Sequence, residues 1–313
     1  MKSSVKFNAS RSNMEWGKKI FVGLVSLYLI VMGARAAADS LSFMRRDRIT
    51  MVVYGASPVV VSLGLSDSVS YILFFDNSMK VKAVGGYGEY KIGSIQKLAQ
   101  LSGDEDLLRR TFSSVLSSHV DYYFAPKQKE VYFETKKLEN FSSSKAAYVS
   151  TVASPQQMTN ANFLERVYLL TALLKMRKLD FTQLKTNFVV PGTDGDTFDE
   201  DDFFHYYQGF FYEPSLRNER DEVKIIYKDS LSADKNVSRI LEGEGIRIID
   251  LDRQDNKLRR CLVQIDPSAM IKTQIPKAAQ FIVDALKCDT KVANIDDATI
   301  LLYVGEDVEE DYQ

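Results

Sequence analysis

The chain is poor in the residues that carry most metal and redox chemistry. Among 313 residues there are two cysteines, two histidines, one tryptophan and seven prolines. His119, His205, Cys261 and Cys288 stand too far apart for the short ligand spacings of a zinc site. No Gly-x-Ser-x-Gly, Walker-type or Gly-x-Gly-x-x-Gly element opens a helix, which removes the common acyl-transfer, P-loop and dinucleotide signatures. Excess positive charge is lacking after the N-terminal stretch. The net charge is −2, yet residues 1–48 hold nine basic and three acidic side chains, so the remainder stands near −8. Phosphate backbones require clustered Lys and Arg, so no nucleic-acid partner is expected. Small ligands, cations and polymers all fit such a surface.

One stretch lacks charge altogether. Ile20–Ala34 is uncharged, with Lys18 and Lys19 before it and Arg35 after it. Fifteen residues fall short of the roughly 20 that cross a bilayer. Trp16, Gly17 and Ala36–Ala38 extend the usable span, because Lys and Arg at the ends can snorkel. The expected anchor is therefore 20–38. Residues 1–19 carry five Lys or Arg against one Glu, which puts the N-terminus in the cytoplasm and the rest outside a single-pass cell membrane. A cleaved signal peptide, with Ala34-Arg35-Ala36 as its cleavage site, and a buried soluble helix are the competing readings.

Beyond the anchor, helical and strand-like patterns alternate. Ile49–Tyr54 and Val69–Phe75 read as strands, the second turning through Asp76-Asn77-Ser78 into Met79–Val84 as a hairpin. Helices are expected at Ile92–Leu101, Asp104–Ser117 and Asn162–Leu179, the last with two apolar faces and hence packed inside. His119–Phe124 and Glu130–Phe133 read as strands and Ser142–Ala153 as a loop. Asp194–Asp202 holds six carboxylates in nine residues, but without EF-hand spacing it reads as a solvated charge run rather than a calcium loop. The aromatic run Phe203–Tyr212 reads as a core-closing helix, His205 packing with it, rather than a sugar-stacking platform. Asn140-Phe-Ser142 and Asn236-Val-Ser238 match the glycosylation pattern, which matters only in a eukaryotic secretory route.

Residues 213–221 read as a polar linker and 308–313 as an acidic tail. Between them, 222–307 follow the order βαββαβ, the ferredoxin-like split βαβ arrangement. Cys261 opens its third strand and Cys288 follows its second helix, so the two return close together; a disulfide and two buried thiols are both compatible with that.

Several of these segments resemble the LytR-CpsA-Psr family. Ser66-Asp-Ser-Val-Ser-Tyr-Ile-Leu73 resembles its opening, and Lys91-Ile92 with the helix after it, Gly103-Asp-Glu-Asp-Leu-Leu108 and Val120-Asp-Tyr-Tyr-Phe124 resemble its middle. The Phe163–Leu184 region, Val190-Pro-Gly192 and the acidic segment resemble its end, so the likeness spans 48–212. Residues 222–307, ending in Val304-Gly305-Glu306-Asp307, resemble the LytR C-terminal domain that follows in such proteins. The resemblance implies an α/β architecture: an N-terminal transmembrane helix, a three-layer α/β/α domain, then the small βαββαβ domain. It also implies glycopolymer transfer from a polyprenyl-pyrophosphate carrier, with arginines on the phosphates and aspartates on Mg2+.

By that resemblance Asp67 is the catalytic and metal-binding candidate and Lys91 the phosphate-binding candidate. The family's arginines are missing: Leu65 and Ser66, Gly85 and Gly86, and Asn160 and Asn162 stand in their places. The leading expectation is a membrane-anchored protein that binds envelope polymer, lipid-linked precursor or a partner, with the transferase site degenerate. One alternative is an active phosphotransferase using Mg2+ and arginines from Arg45, Arg46, Arg48, Arg109 or Arg110. The other is a non-enzymatic envelope scaffold.

Overall fold

A computed structural model of the chain describes Tyr28 and residues 46–54, 57–127, 145–175, 181–192, 195–228, 231–254, 258–270 and 274–313. Apart from Tyr28, the expected anchor at 20–38 lies outside the described residues, as do Arg45 and the strand expected at 130–133. Among the described residues no helix is long and apolar enough to cross a membrane.

The chain begins with β1 (Arg48–Val53), β2 (Val59–Gly64) and β3 (Ser70–Phe74), joined as successive antiparallel hairpins. Every residue of β1 and β2 is buried. Their near-continuous β-branched runs suit strands covered on both faces. β2 lacks the polar–apolar alternation that marks a half-buried strand, so only its place between β1 and β3 identifies it. The hairpin expected between Val69–Phe75 and Met79–Val84 does not form: β4 (Lys80–Ala83) lies in a second sheet, paired with β5 (Gly88–Lys91) around a turn with Gly85 and Gly86 at positive φ.

Next come α1 (Ile95–Ser102), α2 (Leu107–Leu116), β6 (Tyr122–Pro126), α3 (Lys145–Ala153), β7 (Gln157–Met158), α4 (Phe163–Lys175), β8 (Phe181–Leu184), β9 (Val189–Val190), β10 (Thr197–Phe198) and α5 (Glu200–Tyr207). The main sheet has the order β7-β6-β1-β2-β3-β8, the second sheet β5-β4-β10-β9. Strand alternation divides the main sheet's side chains. Val52, Val60 and Leu73 pack on α1, α2 and α5, while Met51, Val61 and Ile72 pack on α3 and α4. Helices therefore cover both faces.

Three expectations for this region change. Ser142–Ala153 contains α3, because Tyr148 and Val152, one helical turn apart, bury against the sheet. Only Leu169 and Leu173 of α4 are buried, and Phe163 is 77% exposed, so the helix has one buried face rather than two. His205 is exposed beside Phe204 rather than packed; the core takes Phe203, Phe204, Tyr207 and Phe211 instead. The acidic run supplies the Asp199 N-cap and the first turn of α5, where carboxylates meet the positive end of the helix dipole. Asp201 also pairs with Arg239 and Lys235.

The stretch 213–221 folds as α6 (Pro214–Glu219), with Pro214 in its first turn and Leu216 buried. Then follow β11 (Glu222–Tyr227), α7 (Leu231–Gly243), β12 (Arg247–Arg253), β13 (Leu262–Ile265), α8 (Lys277–Leu286), β14 (Asp289–Val292), β15 (Ile300–Tyr303) and α9 (Glu306–Tyr312). The sheet order is β12-β11-β15-β13-β14. Two parallel βαβ units, β11-α7-β12 and β13-α8-β14, flank β15, which runs parallel to β11 and antiparallel to β13. This is not the ferredoxin-like βαββαβ expected from sequence. The extra strand, β14, is exposed at every position, so it carries no apolar alternation. Nor do residues 308–313 form a free tail: Val308, Glu309 and Tyr312 of α9 are buried, and the Asn236 amide donates to the Tyr312 carbonyl at 2.8 Å.

Because β13 and β14 are parallel neighbours, the residues just before them lie side by side. There Cys261 and Cys288 form a disulfide across 27 residues. Replacing both by serine is expected to cost about 2–4 kcal/mol, mainly by freeing the unfolded chain. Thermal unfolding of the parent with and without reductant should show the same loss; an unchanged midpoint in both would contradict it.

Candidate functional site

Asp67 sits in the exposed turn between β2 and β3. Its Oδ1 accepts from the Val69 N–H at 3.0 Å and its Oδ2 from Arg48 Nη2 at 2.9 Å. Arg48 is buried and also donates to the Ser62 hydroxyl and the Val69 carbonyl, both at 3.2 Å. The pair thus fastens the turn to the sheet. Lys91 is exposed at the end of β5. The residue after it, Ile92, accepts from the Tyr54 hydroxyl, beyond the far end of β1 from Arg48. Asp67 and Lys91 therefore lie at opposite ends of the central strands and do not form one site. Among the described residues no group of three His, Cys, Asp or Glu side chains is placed to hold a metal ion.

The residues standing where arginines were expected do structural work. Asn160 accepts from the Tyr123 N–H at 3.1 Å and donates to the Asp121 carbonyl at 2.7 Å. Asn162 and Glu165 form a capping box at the start of α4: Asn162 Oδ1 accepts from Glu165 N at 2.9 Å, and Glu165 Oε2 from Asn162 N at 2.7 Å. Gly86 donates its N–H to the Gln313 carbonyl at 3.3 Å.

The other arginines are neutralised from within. Arg109 makes a two-pronged contact with Asp106 at 2.7 and 2.6 Å. Arg110 pairs with Asp104 at 2.5 Å and Asp311 at 3.2 Å. Arg46 meets three carboxylates: Asp121 at 3.1 Å, Glu244 at 3.2 Å and Glu213 in a direct Nε–Oε1 contact. Its guanidinium also covers the Phe281 ring at 4.6 Å.

This Arg46 cluster joins distant parts of the chain. Asp121 precedes β6 and accepts the Thr50 N–H at 2.8 Å. Glu213 precedes α6, and Glu244 follows α7 and accepts from Ser118 Oγ at 2.6 Å and His119 N at 2.8 Å. Burial raises all three carboxyls, against the pull of Arg46: Glu213 is pushed up to about 7, Glu244 to about 8, and Asp121 above its ordinary value. His119, buried edge-on to Phe281, is held well below the usual histidine value by desolvation and by Arg109 and Arg46.

The cluster borders a cleft of about 1380 Å³ walled by α6, α8 and the residues around the starts of α2, β6 and α4. Seven carboxyl groups and four Lys or Arg line it. Sequence reading did not single out this site. Its traces were the polar His119 and Asp121 beside an apolar strand and Glu244 held between Gly243 and Gly245. Their convergence is a matter of tertiary folding.

No family model matches the sequence, and no curated protein matches it. Structural neighbours include LytR-CPS2A-psr family proteins. Bacillus subtilis YwtF (TagT), solved with bound octaprenyl pyrophosphate lipid, is 11% identical with a TM-score of 0.36, covering 51% of this chain and 87% of that one. Bacillus subtilis TagV is 14% identical with a TM-score of 0.38, covering 52% and 97%. A transcriptional regulator from Enterococcus faecalis is 7% identical with a TM-score of 0.36, covering 54% and 87%.

Proposed function

We propose that this chain is a cell-envelope protein of the LytR-CpsA-Psr type that binds envelope polymer, lipid-linked precursor or an assembly partner without carrying out transfer. Residues 20–38 anchor it, with the N-terminus in the cytoplasm and residues 48–313 outside. One observation supports the inactive reading: Arg46, Arg48, Arg109 and Arg110, the four described among the five arginines that could replace the missing phosphate ligands, are each held by carboxylates of the same chain. A pyrophosphate would have to displace those partners, which are buried at Arg46 and partly exposed at Arg48, Arg109 and Arg110. The Cys261–Cys288 disulfide supports an oxidising compartment. The full-length chain is expected to fractionate with membranes and, in detergent with Mg2+, to release no phosphate from polyprenyl pyrophosphate. Recovery in the soluble fraction would defeat the topology, and hydrolysis that disappears in Asp67→Ala would defeat the inactive reading.

A further inference from the structure

Only Leu169 and Leu173 of α4 are fully buried, yet the rest of the helix is not uniformly polar. Phe163, Val167 and Leu174 stand 77%, 45% and 62% exposed. At about 3.6 residues per turn the three fall within about 40° of one another around the helix axis. Half-buried Leu170 borders them. Among the described residues no other helix exposes more than one large apolar side chain. Single exposed apolar side chains are ordinary, whereas a stripe about three turns long marks a contact surface.

The ends of α4 fix its place in the fold. Asn160, just before it, accepts from the Tyr123 N–H and donates to the Asp121 carbonyl, at the start of β6. β8, which follows it, starts at Phe181 opposite Ser70. β6 pairs parallel with β1, and β8 parallel with β3, which runs the same way as β1 across β2. α4 therefore lies between two strand starts at the end of the sheet where the chain enters β1. Seven residues, 39–45, separate Arg46 from the expected anchor at 20–38. Fully extended they span at most about 25 Å, so the anchor keeps this end of the fold within reach of the bilayer surface. Lys175 closes α4 and is exposed, and the sequence continues Met176-Arg177-Lys178, a basic cluster in a chain otherwise acidic after residue 48. An apolar stripe bordered by basic residues suits a helix lying in a lipid interface. A second copy of the chain is the poorer occupant, because stable interfaces bury roughly 1,200–2,000 Å², more than this stripe presents. A tethered helix needs only weak affinity, since the anchor fixes its local concentration.

We propose that α4 docks on the lipid bilayer through Phe163, Val167 and Leu174, so that the anchored fold lies against the membrane. The inference rests on the anchor reading and involves no catalytic step.

The test uses the full-length chain reconstituted in vesicles of phosphatidylcholine and phosphatidylglycerol that carry a nitroxide on the acyl chain. A fluorophore is attached at Thr171→Cys, beside the stripe, or at Val292→Cys, an exposed position on β14. Quenching should be at least roughly twofold stronger at residue 171 than at residue 292. The triple substitution F163S, V167S and L174S should remove that difference while circular dichroism stays unchanged. If the triple variant does not fold, Phe163→Ser alone should reduce it. A difference that survives the substitutions, or one that grows with protein concentration as contact with a second copy would, overturns the docking. Incorporation with equal quenching at both positions overturns the docking and leaves the anchor standing. Recovery of the parent chain outside the vesicles defeats the anchor and the docking together.

Discussion

Arg46→Met is expected to destabilise the folded chain by about 3–5 kcal/mol at pH 8, because it strands three buried carboxylates without their cation. The pH dependence distinguishes this from lost packing. Glu213 and Glu244 titrate near 7 and 8 in the fold, against about 4.3 in the unfolded chain. The folded state therefore holds more protons between those values. The contribution of these two carboxyls to stability is complete below about pH 4.3 and is lost as pH rises to 8, already in the parent protein, with His119, held neutral by burial, opposing that fall only up to about 6.5. Removing the guanidinium pushes the carboxyls higher still and steepens the fall, so most of the Arg46→Met penalty should vanish at pH 5. Urea unfolding followed by circular dichroism at the two pH values measures both effects. A variant as stable as the parent at pH 8, or one more damaged at pH 5, would refute the account.

Gly243→Ala is expected to cost at least about 2–3 kcal/mol, by overpacking rather than by backbone strain. A Cβ at residue 243 would stand 1.7 Å from the Ser117 carbonyl oxygen and 2.8 Å from its carbon. Both are main-chain atoms at the end of α2, so no side chain can move aside. The last residue of α7 is thus seated directly on the turn that leads into His119 and Asp121. Gly103→Ala is the internal comparison. It meets nothing within 4 Å but has φ +72°, so it should lose only about 1 kcal/mol. Equal urea midpoints for the two variants would mean that the Gly243 contact does not hold the halves together.

Elements with a strong local pattern were readable in advance. Those that depend on a neighbour were not. β1 carries a β-branched run, and β6, α2, α7 and α8 carry apolar patterns, that stand without context. β14 is uniformly exposed and does not alternate, so pairing alone makes it a strand, while β2 is buried throughout like β1 but is interrupted by Ser62 and closed by Gly64. α6 and α9 are short and polar, held by one turn each of buried contact at Leu216 and at Val308 and Tyr312. Without β14 in view the C-terminal sheet took the wrong topology, while the nearness of Cys261 and Cys288 did not depend on it. The single buried face of α4 follows the same rule: an apolar side chain at helical spacing shows which way a helix could pack, not what is there to meet it.

By itself the sequence determined the α/β class, the acidic balance of the chain after residue 48 and the absence of a zinc or nucleotide motif. These depend on composition and order alone. Only the tertiary structure decided what Arg46 does. Arg46 is 75 residues from Asp121, 167 from Glu213 and 198 from Glu244, and no local pattern links them. Their meeting is set by where β1, β6 and α6 begin and where α7 ends. Burial there turns four ordinary surface-type residues into a closed charge cluster beside an acidic cleft.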